Sequence, residues 1–351
     1  QVFQQGGFDA VIGNPPYGAL FTDSDKAYIR SKYRTYKYKF DSYIYFIEKA
    51  LSLASNGGFV SFITLELWLK LESGSLLRKY VLESASFDVL LVCGENVFSE
   101  AVVNTIVFVL RKGGKNSYIA IENNGNTWKM PITQRELDNE FIIDYRITPE
   151  IDTIITKVKK SDSKLLTDFG EVIQGITPYD RYRGQSKEII STRAYHFDHR
   201  HDDTCGKWLN GKDVSRYLLN WSGEWLSYGP WLAAPRDKRF FEGERLLFRE
   251  VPGNGKRIQV MIVDEICYYG HSITPFKPYA SSLYNIKYIL GIVNSKLISW
   301  YGGKILPNFG KDIFPKLNPQ DICAIPIRTI NFSNPAEAAL HSRMVALVEQ
   351  M

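Results

Sequence analysis

Asn14, Pro15, Pro16 and Tyr17 form the cluster in this 351-residue chain whose residue types and spacing together specify a chemistry. They follow the apolar run Phe8-Asp9-Ala10-Val11-Ile12 and lie between Gly13 and Gly18. An apolar run closed by glycine and two prolines reads as a buried strand that stops abruptly. Both prolines fix their φ angles and carry no N–H, and Pro15 holds Asn14 extended. The tip therefore offers a rigid pair of acceptors, the Asn14 side-chain oxygen and the Pro15 carbonyl, with an aromatic ring beside them. Two such acceptors can take both hydrogens of one amino group while Tyr17 stacks on the flat ring that bears it. The cluster suits an exocyclic amine on a nucleobase.

The surrounding elements must hold that tip in place. Lys26, Arg30, Lys32, Arg34, Lys37 and Lys39 occur with no acidic residue from 26 to 39, interleaved with Tyr28, Tyr33, Tyr36 and Tyr38. Cations contact phosphates and aromatic faces contact bases or sugars, so this stretch reads as a nucleic-acid-facing loop. Residues Phe40 to Leu51 have helical apolar spacing, which Asn56-Gly57-Gly58 ends. Gly58 to Ile63 reads as a short buried strand, Glu72 to Leu82 as a second helix, and Phe87 to Val92 and Val102 to Leu110 as two further strands. Strands alternating with helices predict a parallel α/β sheet, and the short final connection predicts that its last strand is antiparallel. Active sites in such Rossmann-like sheets lie at the carboxyl ends of strands, where Asn14 falls.

The segment Gly6-Gly7-Phe8-Asp9-Ala10-Val11-Ile12-Gly13-Asn14-Pro15-Pro16-Tyr17 closely resembles the catalytic motif of methyltransferases acting on adenine N6 in DNA, and more narrowly of the TaqI-like and type IIG restriction–modification families. The helix with Asp41, the Gly57-Gly58-Phe59 strand and the Asn96-Val97-Phe98 loop resemble later motifs in the same order. The resemblance implies the second half of a Rossmann-like methyltransferase sheet, with S-adenosylmethionine as methyl donor and double-stranded DNA as substrate. It also implies catalytic roles for Asn14, Pro15, Pro16 and Tyr17, with Asn14 bordering the cofactor, and a role for Phe98 in holding an extruded adenine. Extrusion costs a few kcal/mol, of which one base–aromatic stack returns roughly 1–3 kcal/mol.

Domain organisation follows from a change of pattern. Residues 1–112 read as the catalytic part and the polar residues 113–164 as a connecting segment with a short helix. Residues 165–351 read as a mixed, β-rich target-recognition domain with short strands and Gly/Pro turns. Glu171 to Pro178, Leu209 to Tyr217, Leu290 to Leu297 and Leu317 to Ile327 resemble successive landmarks of the TaqI-like C-terminal specificity domain. Within it Arg181, Arg183, Arg193, Arg236, Lys238, Arg239, Arg249 and Lys256 are candidates for DNA contact.

Composition bounds the remainder. The formal charge of +5 is too small to identify a nucleic-acid binder by itself. No apolar run approaches the roughly 20 residues of a membrane span, and the four scattered cysteines read as reduced thiols of a cytosolic protein, the resemblance implying a bacterial or archaeal cytoplasm. The chain starts at Gln1 with a strand almost at once, so we expect a fragment whose upstream region holds most of the cofactor site. The glycine-rich loop that such a fold uses for its cofactor has no counterpart in place here, Gly253-Asn254-Gly255 being the nearest approach. No Glu-x-Lys pair completes a PD-ExK nuclease site either, so any nuclease is expected upstream. His196, His199 and His201 lack zinc-ligand spacing and read as a polar loop or phosphate contact, with no metal expected. Two readings stay open beside the leading one. One is a DNA-binding specificity module without catalysis; the other is an amino-methyltransferase of protein glutamine or RNA.

Overall fold

The computed structural model describes residues 2–37, 41–94, 104–115, 117–132, 142–160, 162–311 and 314–351. The chain divides into two compact units, 1–153 and 154–351.

The first unit is built on β1 (Phe8–Gly13), α1 (Asp23–Lys32), α2 (Tyr43–Leu53), β2 (Ala54–Leu65), α3 (Ser75–Ser84), β3 (Ala85–Gly94), β4 (Thr105–Lys112), β5 (Tyr118–Asn123) and β6 (Asn126–Pro131). Its six strands are ordered β1-β2-β4-β3-β5-β6. β1 runs parallel to β2, whereas β4 is antiparallel to both β2 and β3. The antiparallel last strand of the α/β pattern is therefore present. Because β2 and β3 both oppose β4, the carboxyl ends of β1, β2 and β3 all emerge at the same end of the sheet. β3 lies three strand spacings from β1, about 14 Å. The core is the stripe Tyr43, Ile44, Ile47, Ala50 and Leu51 of α2 with Val60, Phe87, Leu90, Ile106 and Phe108 of the sheet.

Two expectations are corrected here. β1 is not buried: it pairs only with β2 among the described strands, and Ile12 and Phe8 are 80% and 40% exposed. An edge strand covers one side only, so apolar composition did not translate into burial. The basic stretch is not simply a loop, because α1 carries Lys26, Arg30 and Lys32 behind a capping box of Thr22 and Asp25. Lys39 and Phe98 lie outside the described residues. In the span read as connecting, β5 joins β3 in parallel and turns into β6 through Asn124 and Gly125, whose φ angles are 50° and 76°. Positive φ at both central residues suits a two-residue hairpin turn.

The second unit is mixed and β-rich, as expected. One four-stranded sheet has the order Cys267–Tyr269, Cys205–Leu209, Trp225–Ser227, His196–Phe197. The other has the order Val260–Val263, Arg245–Arg249, Ile273–Pro278, Gly170–Val172. Helices Ile286–Val293, Lys296–Ile305 and Pro335–Glu349 are its longer ones among the described residues. Three of the four landmark phrases carry a side chain that satisfies backbone groups. Asn294 mimics a strand neighbour, accepting from Val260 N (3.1 Å) and donating to Val260 O (2.9 Å). Asp213 accepts from Asn210 N at 2.8 Å, and Asp321 accepts from Asn318 N at 3.2 Å. Each ties a short turn whose backbone N–H groups would otherwise lack partners.

One buried carboxylate governs the basic stretch. Glu48 of α2 accepts from Arg34 N (3.0 Å), Thr35 N (3.0 Å) and Thr35 Oγ1 (2.7 Å). Glu48→Gln places an amide donor against one of those donors and should cost about 1–3 kcal/mol. Urea unfolding should register the loss, and limited trypsin digestion should cut faster at Lys32, Arg34 and Lys37. Equal rates and midpoints would show that Glu48 does not hold this stretch.

Candidate active site and nucleic-acid surface

Asn14 is the first residue past β1, exposed at the carboxyl end of the sheet, with Pro15 buried behind it and Tyr17 half-buried. The Tyr17 hydroxyl points back under the tip and shares its single proton between Asn14 Oδ1 (2.9 Å) and the carbonyl of Ile63 in β2 (3.0 Å). Burial, and then the Asp41 carboxylate, pushes the Tyr17 phenol above its ordinary pKa, so it stays a donor at neutral pH. The Tyr17 ring meets Tyr43 edge-on at 6.2 Å. The Pro15 carbonyl accepts no hydrogen bond from a described residue, so the residue next to Asn14 carries a second unused acceptor.

The loop beyond the tip is tied to the start of α2. Asp41 Oδ1 accepts from Gly18 N (3.0 Å) and Ser42 N (2.7 Å), and Ser42 Oγ donates to the Pro16 carbonyl at 2.5 Å. Gly18 adopts φ +66°, a left-handed conformation that a side chain resists. Sequence reasoning had located Asp41 but missed Ser42 and the Ile63 carbonyl. A hydroxyl at a helix start signals capping, and nothing in it announces a carbonyl 26 residues away.

At the exit of β2 a second polar cluster closes around Glu66. It receives the Tyr145 hydroxyl, Lys70 Nζ at 3.3 Å and Asn104 Nδ2 at 3.4 Å. Burial, and then the Glu66 hydrogen bond, raises the Tyr145 phenol. These groups satisfy one another and anchor residues 142–146 beside the strand end.

Among the basic residues near the tip, Lys26 pairs with Asp23 and Lys37 with Glu72, both at 2.9 Å. Arg30, Lys32 and Arg34 are exposed, and no ion pair ties them to a described carboxylate. Tyr28 is exposed, but Tyr33 leans on Tyr45 at 5.0 Å and belongs to the core side.

The arginines of the second unit divide likewise. Arg183 donates to Ala233 O (3.0 Å), Arg193 pairs with Glu224 (2.6 Å), and Arg239 pairs with Glu171 (2.5 Å) and Asp237 (3.0 Å). Arg236 reaches Gly175 O at 3.4 Å from a backbone with φ +65°. Arg181 lies over the Tyr182 ring at 4.5 Å, and Arg249 ends its strand half-buried. Thr192, Arg193, His196, Asn210, Lys212 and Glu224 are among the residues lining an open cavity of about 760 Å³. There His196 Nδ1 bonds the Tyr179 hydroxyl at 2.7 Å while its Nε2 is buried without a partner. His199 pairs with Asp198 and meets His201 edge-on at 6.1 Å, and His201 stacks on Phe197 at 4.7 Å.

The family model described as Eco57I restriction-modification methylase matches residues 1–98, and the TaqI-like C-terminal specificity domain matches residues 206–327. The likeness to restriction–modification methyltransferases holds on both halves of the chain. A putative type II restriction enzyme and methyltransferase of Methanocaldococcus jannaschii, RM.MjaORFECS2P, is 25% identical across 93% of this chain and 28% of its own. The type II methyltransferase M.TthHB8I of Thermus thermophilus is 35% identical over 117 residues, covering 31% of this chain and 27% of that relative. The chain thus spans little more than a quarter of these relatives. In fold it is similar to the type IIL restriction-modification enzyme MmeI, solved in complex with DNA. The TM-score is 0.52 at 13% identity, over 97% of this chain and 49% of that one.

Burial, and then Arg193, lowers the His196 pKa from 6.5 to about 3. Between those values the unfolded chain binds a proton that the folded chain refuses. The stability from neutral His196 is therefore complete above pH 6.5 and is lost as pH falls toward 3. Urea unfolding at pH 7 and pH 4 should show a smaller acid loss in His196→Gln than in the unsubstituted chain. An identical loss in both would show that His196 is not among the groups responsible.

Proposed function

We propose that this chain supplies the amine-orienting tip and the target-reading region of a site-specific DNA adenine-N6 methyltransferase of the restriction–modification type. One observation carries the reading. The Asn14 side-chain oxygen and the Pro15 carbonyl belong to adjacent residues just past the carboxyl end of a parallel strand, and Tyr17 and Ser42 tie Asn14 and Pro16 around them. Adenine N6 is inaccessible within a stacked duplex, so the base must be extruded. Its amino lone pair is delocalised into the purine, which makes it a poor nucleophile. Hydrogen bonds from N6 to Asn14 Oδ1 and the Pro15 carbonyl draw the nitrogen toward tetrahedral geometry and localise that pair. Positioning and electrostatics do this work, with no covalent enzyme intermediate. The Tyr17 hydroxyl keeps the acceptor face of Asn14 turned toward the base.

S-adenosylmethionine, the donor implied by the resemblance, supplies an electrophilic sulfonium methyl when bound. The described residues hold the acceptor side of such a site but no cradle for the donor. Gly253-Asn254-Gly255 leads into the 3-10 turn Asn254–Lys256 and not into an α-helix. The donor's binding residues belong, on this reading, to the further length that the relatives possess.

In the full-length protein, Asn14→Ala should lower methyl transfer at least ~100-fold, as loss of one preorganised hydrogen-bond partner does elsewhere. Duplex affinity should hold, because Asn14 meets the amine and no phosphate. Tyr17→Phe should retain the ring but release Asn14, and should fall between Asn14→Ala and the parent in single-turnover rate. Normal methylation by Asn14→Ala would sink the acceptor mechanism.

Target choice should reside in residues 165–351. A catalytic tip accepts one adenine, whereas reading neighbouring base pairs needs several side chains in a groove, each good bidentate contact giving about 1–3 kcal/mol of discrimination. Exchanging 165–351 for the matching region of a relative with another target should move the methylated sequence while N6 of adenine stays the modified atom. Methylation mapping by single-molecule sequencing decides between outcomes: a chimaera faithful to the original sequence would remove the specificity role from this unit.

A further inference from the structure

Arg216 and Arg257 stand apart from the arginines described above. Neither makes an ion pair with a described carboxylate, and the Nε of each is buried with no hydrogen-bond partner. They are neighbours across one carboxamide: Gln259 Oε1 accepts from Arg216 N at 3.1 Å, and Gln259 Nε2 donates to Arg257 O at 3.1 Å. The adjoining backbone is unusual on both sides, Tyr217 at φ +62° and Gly255 and Lys256 at +66° and +53°. Their backbones are thus adjacent, both side chains are half-buried, and their like charges repel one another. Burial, and then the charge of Arg216, lowers the Arg257 pKa.

We propose that Arg216 and Arg257 form a two-arginine clamp for one phosphodiester of bound duplex DNA. The inference rests on the reading of this unit as the DNA-reading region and names a contact within it. A phosphodiester presents two anionic oxygens, and the guanidinium fork matches them bidentately. Such an anion cancels the repulsion between the pair and can be met by their Nη groups, the buried Nε of each lying out of its reach. A purely structural role accounts for only part of the pair. Arg257 Nη2 donates to Asn294 O at the end of helix Ile286–Val293 (3.0 Å), but the Arg216 guanidinium makes no hydrogen bond within the described chain and only leans over Tyr217 at 5.4 Å.

A phosphate contact positions the duplex and carries no sequence information, so its loss has a specific signature. The probe is duplex DNA of random sequence, with binding to the whole chain measured by fluorescence anisotropy from about 50 to 200 mM salt. Arg216→Gln/Arg257→Gln should weaken binding and reduce the slope of log K against log salt by about 0.9, the value for one phosphate. Arg216→Lys/Arg257→Lys keeps the charge and should keep the slope. Should the double Gln variant lose its fold by circular dichroism, Arg216→Gln alone decides, because it sacrifices no internal hydrogen bond. An unchanged slope in a folded Gln variant overturns the clamp and leaves the DNA reading intact. A chain that binds no duplex at all overturns both.

Discussion

The parallel pairing of β1 with β2 is the constraint on which the candidate site depends. It aligns Ile12 with Ser61 and Gly13 with Phe62, so both strands leave the sheet at one end and the Ile63 carbonyl lies beside the tip. A proline pair has no N–H with which to continue a ladder, so the chain must turn away where β2 goes on. The turn would be loose without side-chain ties. Ser42 holds the Pro16 carbonyl, Asp41 holds Gly18 N, and Tyr17 joins Asn14 to β2. Loss of any one leaves the acceptor pair present but less well aimed, and aim is the property that this chemistry draws on.

Electrostatics in the chain is likewise decided by partners and not by totals. A formal charge of +5 spread over 351 residues says little. Arg193 and Arg239 are neutralised by carboxylates, while Arg30, Lys32 and Arg34 of the first unit and Arg216 and Arg257 of the second are not. A cation already paired within the fold must give up that pair before it can serve a phosphate. An unpaired, partly desolvated cation gives up little and has lost part of its hydration beforehand. Such residues are therefore better candidates for an anion than richer basic clusters that are internally matched.

This also explains which features could be read in the sequence. The strand end at Asn14, helix α2 and the antiparallel β4 were legible because each depends on local pattern: proline chemistry, apolar period and connection length. The exposure of β1 was not legible, since composition tells that a strand is apolar but not how many neighbours flank it. Of the β5–β6 hairpin only the Asn124-Gly125 turn has a local signature, while its polar outer residues hid the strands. The Glu48 anchor, the Ser42–Pro16 contact and the neutralised arginines all join residues distant in sequence, and single-sequence periodicity carries no such information. Phe98 and Lys39 lie outside the described residues.

The landmark phrases of the second unit bear on what resemblance means physically. Asn294, Asp213 and Asp321 owe their places to backbone N–H and C=O groups that they satisfy, so a match on these phrases reports a shared scaffold. Base-reading residues face a different requirement, since they must vary wherever targets vary. They are therefore to be sought beside the capping residues and not among them. Lys212 illustrates the arrangement: it adjoins Asp213 and lies on a segment whose geometry Asp213 fixes. A rigid, cap-locked turn can present an exchangeable side chain at a constant position, and a specificity unit needs that property if its contacts are to change while its fold does not.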